Sequence, residues 1–153
     1  MSTFMIINAY CDAGFRQAHQ YGGTQHGIEG ECGFGASIVA SFIHEHGKRQ
    51  NTSHSTTKLQ TAAMTSVTAQ VAEMLTCLMA ISYIRNVWLV NNPTLAPTHP
   101  SQSLKLRTIN VFTDNSHVSP ALERGSTKCP WVAPVLALTL SELIAVRALG
   151  VDI

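Results

Sequence analysis

Residues 66–84, SVTAQVAEMLTCLMAISYI, form the longest apolar stretch without Gly or Pro. Leu75, Leu78, Met79 and Ser82 recur at helical spacing, as do Val71, Leu75 and Leu78, which predicts a mostly buried helix. Upstream, residues 4–11 (FMIINAYC) read as a first strand buried on most of both faces, ending in Asp12-Ala13-Gly14. Residues 15–32 are rich in Gly and Gln and lack periodicity, so they read as a loop or insertion. Residues 33–43 predict a second strand, with a turn at Gly47. Residues 51–57 predict a polar third strand at a sheet edge.

Downstream of the long helix, residues 91–103 hold three prolines and read as a surface loop. Residues 106–113 (LRTINVFT) predict a fourth strand ending in Asp114. Residues 117–124 fit a short helix closed by Gly125. Residues 131–149 predict a second long helix, with Pro134 in its first turn and Gly150 as its C-cap. Val151-Asp152-Ile153 reads as the start of a further strand. Three hairpin-linked strands leading into helix-connected ones predict an α/β fold: a mixed sheet with helices packed on it.

One residue conflicts with this pattern. Glu73 is the only charged side chain between Lys58 and Arg85. A carboxylate on so apolar a helix needs a base, a proton or a metal ion, because an unpaired buried charge is very costly. Taken alone it also fits a thin exposed face or a dipole-favoured place near the helix start. Asp12 and Asp114 alter the balance. Each ends a strand, and sites in open sheets form beyond the carboxyl ends of parallel strands. If the two strands are parallel neighbours, the carboxylates lie side by side and Glu73 completes a cluster. Three carboxylates that close raise one another's pKa, and divalent cations remove the conflict. Two such ions clamp both sides of a phosphoryl displacement.

The motifs NAYCDAG, GFGASIVA, TAQVAEMLTCLMAI and INVFTDNSHV, in this order, resemble the ribonuclease H family, type 1-like, over residues 4–153. The resemblance implies a mixed five-stranded sheet whose last strand is only a stub here. It implies a metal-dependent endonuclease that hydrolyses the RNA strand of an RNA–DNA hybrid by a two-metal mechanism. Asp12, Glu73 and Asp114 would be catalytic residues and ligands of Mg²⁺ or Mn²⁺. The backbone around Ala13 and Gly14, with Gln70, Asn115 and Ser116, would contact the substrate, read by its A-like shape and 2′-OH groups. The family continues into a loop with a His and a helix carrying a fourth acid, and this chain ends where the fifth strand begins. Asp152 precedes the place for that acid and is not its substitute. Residues 1–153 therefore read as one C-terminally incomplete domain, either a fragment of a longer protein or a degenerate copy. In the second case the function is that of an inactive nucleic-acid or protein binding module.

Composition narrows the rest. Only 12% of residues are charged, so much of the chain is expected in a core or against a partner, and the exposed sheet edge invites self-association. The net charge of +1 gives no overall field for nucleic acid, so such contacts fall to local groups: Lys48, Arg49 and Lys58, or Lys105 and Arg107. Cys11, Cys32, Cys77 and Cys129 form no C-x-x-C pair and read as free thiols in a reducing, intracellular compartment. The N-terminus lacks a basic n-region, and Glu73 and Glu142 interrupt the two apolar helices, so neither a signal peptide nor a membrane span is expected. His44 and His46, with His54 or Cys32, are a weak zinc candidate, since no closing pair stands at ligand spacing. An actin-like phosphate loop at Asp12-Ala13-Gly14 would need a second half for which the chain has no room.

Overall fold

The computed structural model describes residues 2–17, 30–46, 49–67, 69–101 and 104–153. Its architecture is mixed α/β. Strands β1 (Ser2–Gln17), β2 (Gly30–His46) and β3 (Arg49–Val67) are antiparallel neighbours, and β4 (Leu106–Thr113) lies parallel to β1. The sheet order is β3-β2-β1-β4, which makes β3 the predicted edge.

The strand β1 is buried on one face, not on both. Met5, Ile7, Ala9 and Cys11 point into the core, while Tyr10 is 49% exposed. Side chains alternate across a strand, and the helices cover one side of this sheet. On the other side Tyr10 stacks on Phe112 with centroids 5.1 Å apart, and Asn110 Nδ2 donates to Asn8 Oδ1 at 3.0 Å. Arg107 sits 4.7 Å over the Phe4 ring.

The first hairpin is longer than its hydrophobic pattern. Phe15 pairs with Cys32 and Gln17 with Gly30, so both ends of the predicted loop are strand. Likewise β3 runs on to Val67, ten residues beyond the predicted strand. Backbone pairing to β2 carries it through a stretch without alternation.

Helix α1 (Ala69–Tyr83) therefore starts three residues later than predicted. It continues through a π-turn, Ile84–Trp88, into α2 (Leu89–Asn91). Its buried stripe is Val71, Met74, Cys77, Ala80, Ile81 and Ile84, whereas Leu75, Leu78 and Met79 are half-buried. Small residues at Ala72, Cys77 and Ala80 let the backbone lie close to the sheet. The run Ala69–Asn91 is long and apolar enough to cross a bilayer, yet its buried face packs on β1, β2 and α4.

Helix α3 (Val118–Arg124) closes on Gly125 at φ 69°, whose N–H donates to the Ala121 carbonyl at 2.9 Å. Helix α4 (Ala133–Ala148) packs beside α1, and Arg85 of the π-turn pairs with Glu142 of α4 at 2.9 Å. The buried hydroxyls of Thr76 and Thr139 donate to the Ala72 and Val135 carbonyls. The chain turns back at Gly150, φ 84°, where an added Cβ would stand 3.1 Å from Pro97 Cβ. Gly150→Ala is expected to cost about 1–2 kcal/mol from the left-handed backbone alone. A thermal melt should fall by roughly 4 °C.

The expected five-stranded sheet is four-stranded among the described residues. In place of a fifth strand, Asp152 makes an isolated parallel bridge to Thr108, with Ile109 N donating to Asp152 O at 2.8 Å.

Candidate metal centre

The parallel pairing of β1 and β4 ends at Cys11 and Thr113. The next residue in each is the aspartate. Asp114 follows the end of β4, whereas Asp12 lies within β1, opposite Gly35 of β2, and not at the expected strand end, because pairing to β2 carries β1 on to Gln17. The two aspartates therefore stand side by side where the parallel pairing stops. Helix α1 crosses that place with Glu73 in its second turn. One carboxylate oxygen from each of Asp12, Glu73 and Asp114 lies within 4.8 Å of the other two. The aspartates are exposed and Glu73 is half-buried.

The two intrahelical glutamates are treated differently. Glu142 has Arg85. Glu73 Oε2 is buried with no hydrogen-bond partner, alone in this among the described buried side-chain polar atoms. Burial pushes the Glu73 pKa up, and the charges of Asp114 and then Asp12 push it further. An all-oxygen donor set this close, with an orphaned carboxylate oxygen, fits a hard divalent cation. Beneath the acids, Cys11 and Cys77 are buried free thiols sharing a hydrogen bond. That bond, with burial and the nearby Glu73 charge, holds Cys77 above the ordinary thiol range and keeps it protonated.

Without a cation the three charges oppose the fold. Glu73 contributes stability fully below the ordinary carboxylate range and loses it as pH rises through its raised value. Asp114→Asn should therefore raise the melting temperature of the metal-free protein near pH 7 by roughly 2–4 °C, for about 1 kcal/mol of relieved repulsion. The gain should shrink as the acids protonate. An unchanged melt at pH 7 would contradict the clustering.

No family model matches the chain, and no curated protein matches it. Among solved structures it is similar to LC9-RNase H1, a type 1 RNase H with the type 2 active-site motif. The identity is 14% and the TM-score 0.42, over 94% of this chain and 59% of that one. The chain thus spans less than two thirds of that structure. A likeness this weak bears on neither residue roles nor activity.

The other predicted site residues are placed variously. Ala13 packs on Ala72 of α1, and Gly14 pairs with Gly33 in the β1–β2 ladder. Gln70 is exposed in the first turn of α1. Asn115 N donates to Thr113 Oγ1, and Asn115 Oδ1 accepts from His117 N at 2.9 Å, which shapes the turn into α3. Ser116 is exposed in that turn. Gln70, Asn115 and His117 line one cavity of about 220 Å³.

Of the basic groups, Lys105 is committed elsewhere. Its Nζ donates to the Thr94 and His99 carbonyls and to Ser101 Oγ, pinning the proline-rich loop. Lys48 and the side chains of Arg49, His44, His46, His54 and Cys32 lie outside the described residues. Arg124 and Lys128, which also line the cavity, escaped the sequence reading because Glu123 offsets Arg124 locally and Lys128 stands four residues on. The only signal was a pair of cations flanking the Gly125 turn.

Proposed function

We propose that this chain is a metal-dependent nuclease domain of ribonuclease H type, hydrolysing the RNA strand of an RNA–DNA hybrid. One observation carries the reading: three carboxylates converge within 4.8 Å where the parallel pairing of β1 and β4 stops, and Oε2 of Glu73 has no hydrogen-bond partner among the described residues. Asp12, Glu73 and Asp114 would hold Mg²⁺ or Mn²⁺. Bound there, divalent cations neutralise phosphate charge and lower the pKa of water, which suits in-line hydrolysis of a phosphodiester.

The residues of the chain divide the remaining work. The exposed aspartates face the strand to be cut. Glu73 fixes the buried side of the cluster from a helix seated on the sheet. The backbone at Ala13 and Gly14, with Gln70, Asn115 and Ser116, binds and orients the strand. In a reducing compartment Cys11 and Cys77 stay thiols beneath the site.

A second reading, a binding module without catalysis, is favoured by the place of Asp152. It bridges Thr108, six residues and thus roughly 20 Å along β4 from Asp114, and brings no fourth acid to the cluster. Labelled RNA–DNA hybrid, duplex RNA and duplex DNA incubated with Mg²⁺ separate the readings. Cleavage confined to the RNA strand of the hybrid supports the nuclease. Salt-dependent binding of all three without cleavage supports the module.

A further inference from the structure

The cavity next to the metal centre shares Gln70 and Asn115 with the residues assigned to the substrate strand, and the rest of its lining has no role so far. Its floor is apolar: Met74, Val118, Ala121 and Val132 are all buried. Its rim carries Arg124 and Lys128, both exposed, and neither is ion-paired with a described residue. Gln70 and Asn115 share the wall with His117, Thr127 and Cys129, and Asn115 Oδ1 is occupied by His117 N, which leaves its Nδ2 as the donor it offers. Two of these residues adjoin metal-centre acids in sequence. Met74 follows Glu73 and Asn115 follows Asp114.

At about 220 Å³ the cavity is smaller than the roughly 300 Å³ from which drug-sized ligands are usually bound. It suits one heterocycle. An apolar floor accepts the face of a base, side-chain amides match the donors and acceptors on its edge, and cations match its phosphate. A base that is paired and stacked in a duplex cannot enter such a recess without leaving the stack.

We propose that this cavity binds one unpaired nucleotide of the substrate strand beside the scissile phosphate, with its phosphate on Arg124 and Lys128. The inference deepens the nuclease reading and rests on it for the position of the cut. The substrate class is then an RNA–DNA hybrid whose RNA strand carries an unpaired nucleotide at the site, at a frayed end or a junction with single strand, in preference to an unbroken hybrid.

The test is binding, read by fluorescence anisotropy in Ca²⁺, of a labelled single-stranded RNA octamer and of the same octamer fully paired to DNA. Wild type is compared with Arg124→Glu/Lys128→Glu, whose positions are exposed and spare the core. The double variant should bind the single strand about tenfold more weakly or worse. Its salt slope should fall by about 0.7, for the one phosphate no longer neutralised. The paired octamer should change by less than about threefold. Gln70→Ala should weaken the single strand more than the paired octamer.

Equal losses on both probes would reduce the two cations to a general basic surface and overturn the proposal, as would wild-type binding in the double variant. Cleavage assays on the same proteins separate the two claims. Metal-dependent cleavage with no single-strand preference sinks the cavity and leaves the nuclease standing. A single-strand preference lost in the double variant, with no cleavage in Mg²⁺ or Mn²⁺, supports the cavity and sinks the nuclease.

Discussion

On the proposed nuclease reading, Asp114→Asn is expected to lower metal-dependent cleavage of an RNA–DNA hybrid by about 10²–10³-fold, the scale of losing one group that stabilises transition-state charge. The loss follows from the geometry. An amide keeps the size of the carboxylate but not its charge, and the site has only three acids among the described residues to hold a cation. Asp12→Asn should match it, because the two aspartates directly follow the last parallel pair of β1 and β4. The same Asp114→Asn protein should melt slightly higher than wild type without metal, so lost activity cannot be ascribed to unfolding. Single-turnover rates with saturating Mg²⁺ are the check. A loss below tenfold would remove Asp114 from the metal centre.

The largest stability effect is expected at Ile7. It lies at 0% exposure on β1, between β2 and β4 and facing the helix layer. Ile7→Ala leaves a cavity that a central strand cannot close, because both neighbours hold its backbone in register. The expected cost is about 3–4 kcal/mol, or roughly 10 °C in melting temperature. Leu138→Ala, on the exposed face of α4, should stay within about 0.5 kcal/mol. Urea melts of the two variants test the assignment of the core face. Equal effects would contradict it.

The two aspartates were legible because an apolar or alternating run followed by Asp is a local signal, although Asp12 marks the end of the apolar run and not of β1, which pairing to β2 extends to Gln17. Asp12 and Asp114 could be placed from their own neighbours, and Glu73 from being the lone charge in an apolar helix. Pairing partners are not local. The last ten residues of β3 lack any period of two, and their strand is imposed by β2. The stripe on α1 was misread because apolar side chains run nearly all round the helix, so spacings of three and four fit more than one face. Val71 is on the buried face, which continues through Met74, Cys77, Ala80, Ile81 and Ile84, while Leu75, Leu78 and Met79 lie beside it half-buried. Glu142 and Arg85 stand 57 residues apart, so nothing in either segment announced the ion pair that neutralises one helical glutamate and leaves the other bare. The cavity was hidden for a similar reason. Its wall joins α1, the turn after β4, and the loop after α3.

The claim that most of this depends on is that Asp12, Glu73 and Asp114 are a metal centre. Calorimetric titration of Mn²⁺ into the wild-type protein and Asp114→Asn at neutral pH tests it directly. Saturable binding in the wild type, lost in the variant, is the expected result. Wild type and variant binding Mn²⁺ alike, or neither binding it, would contradict the account.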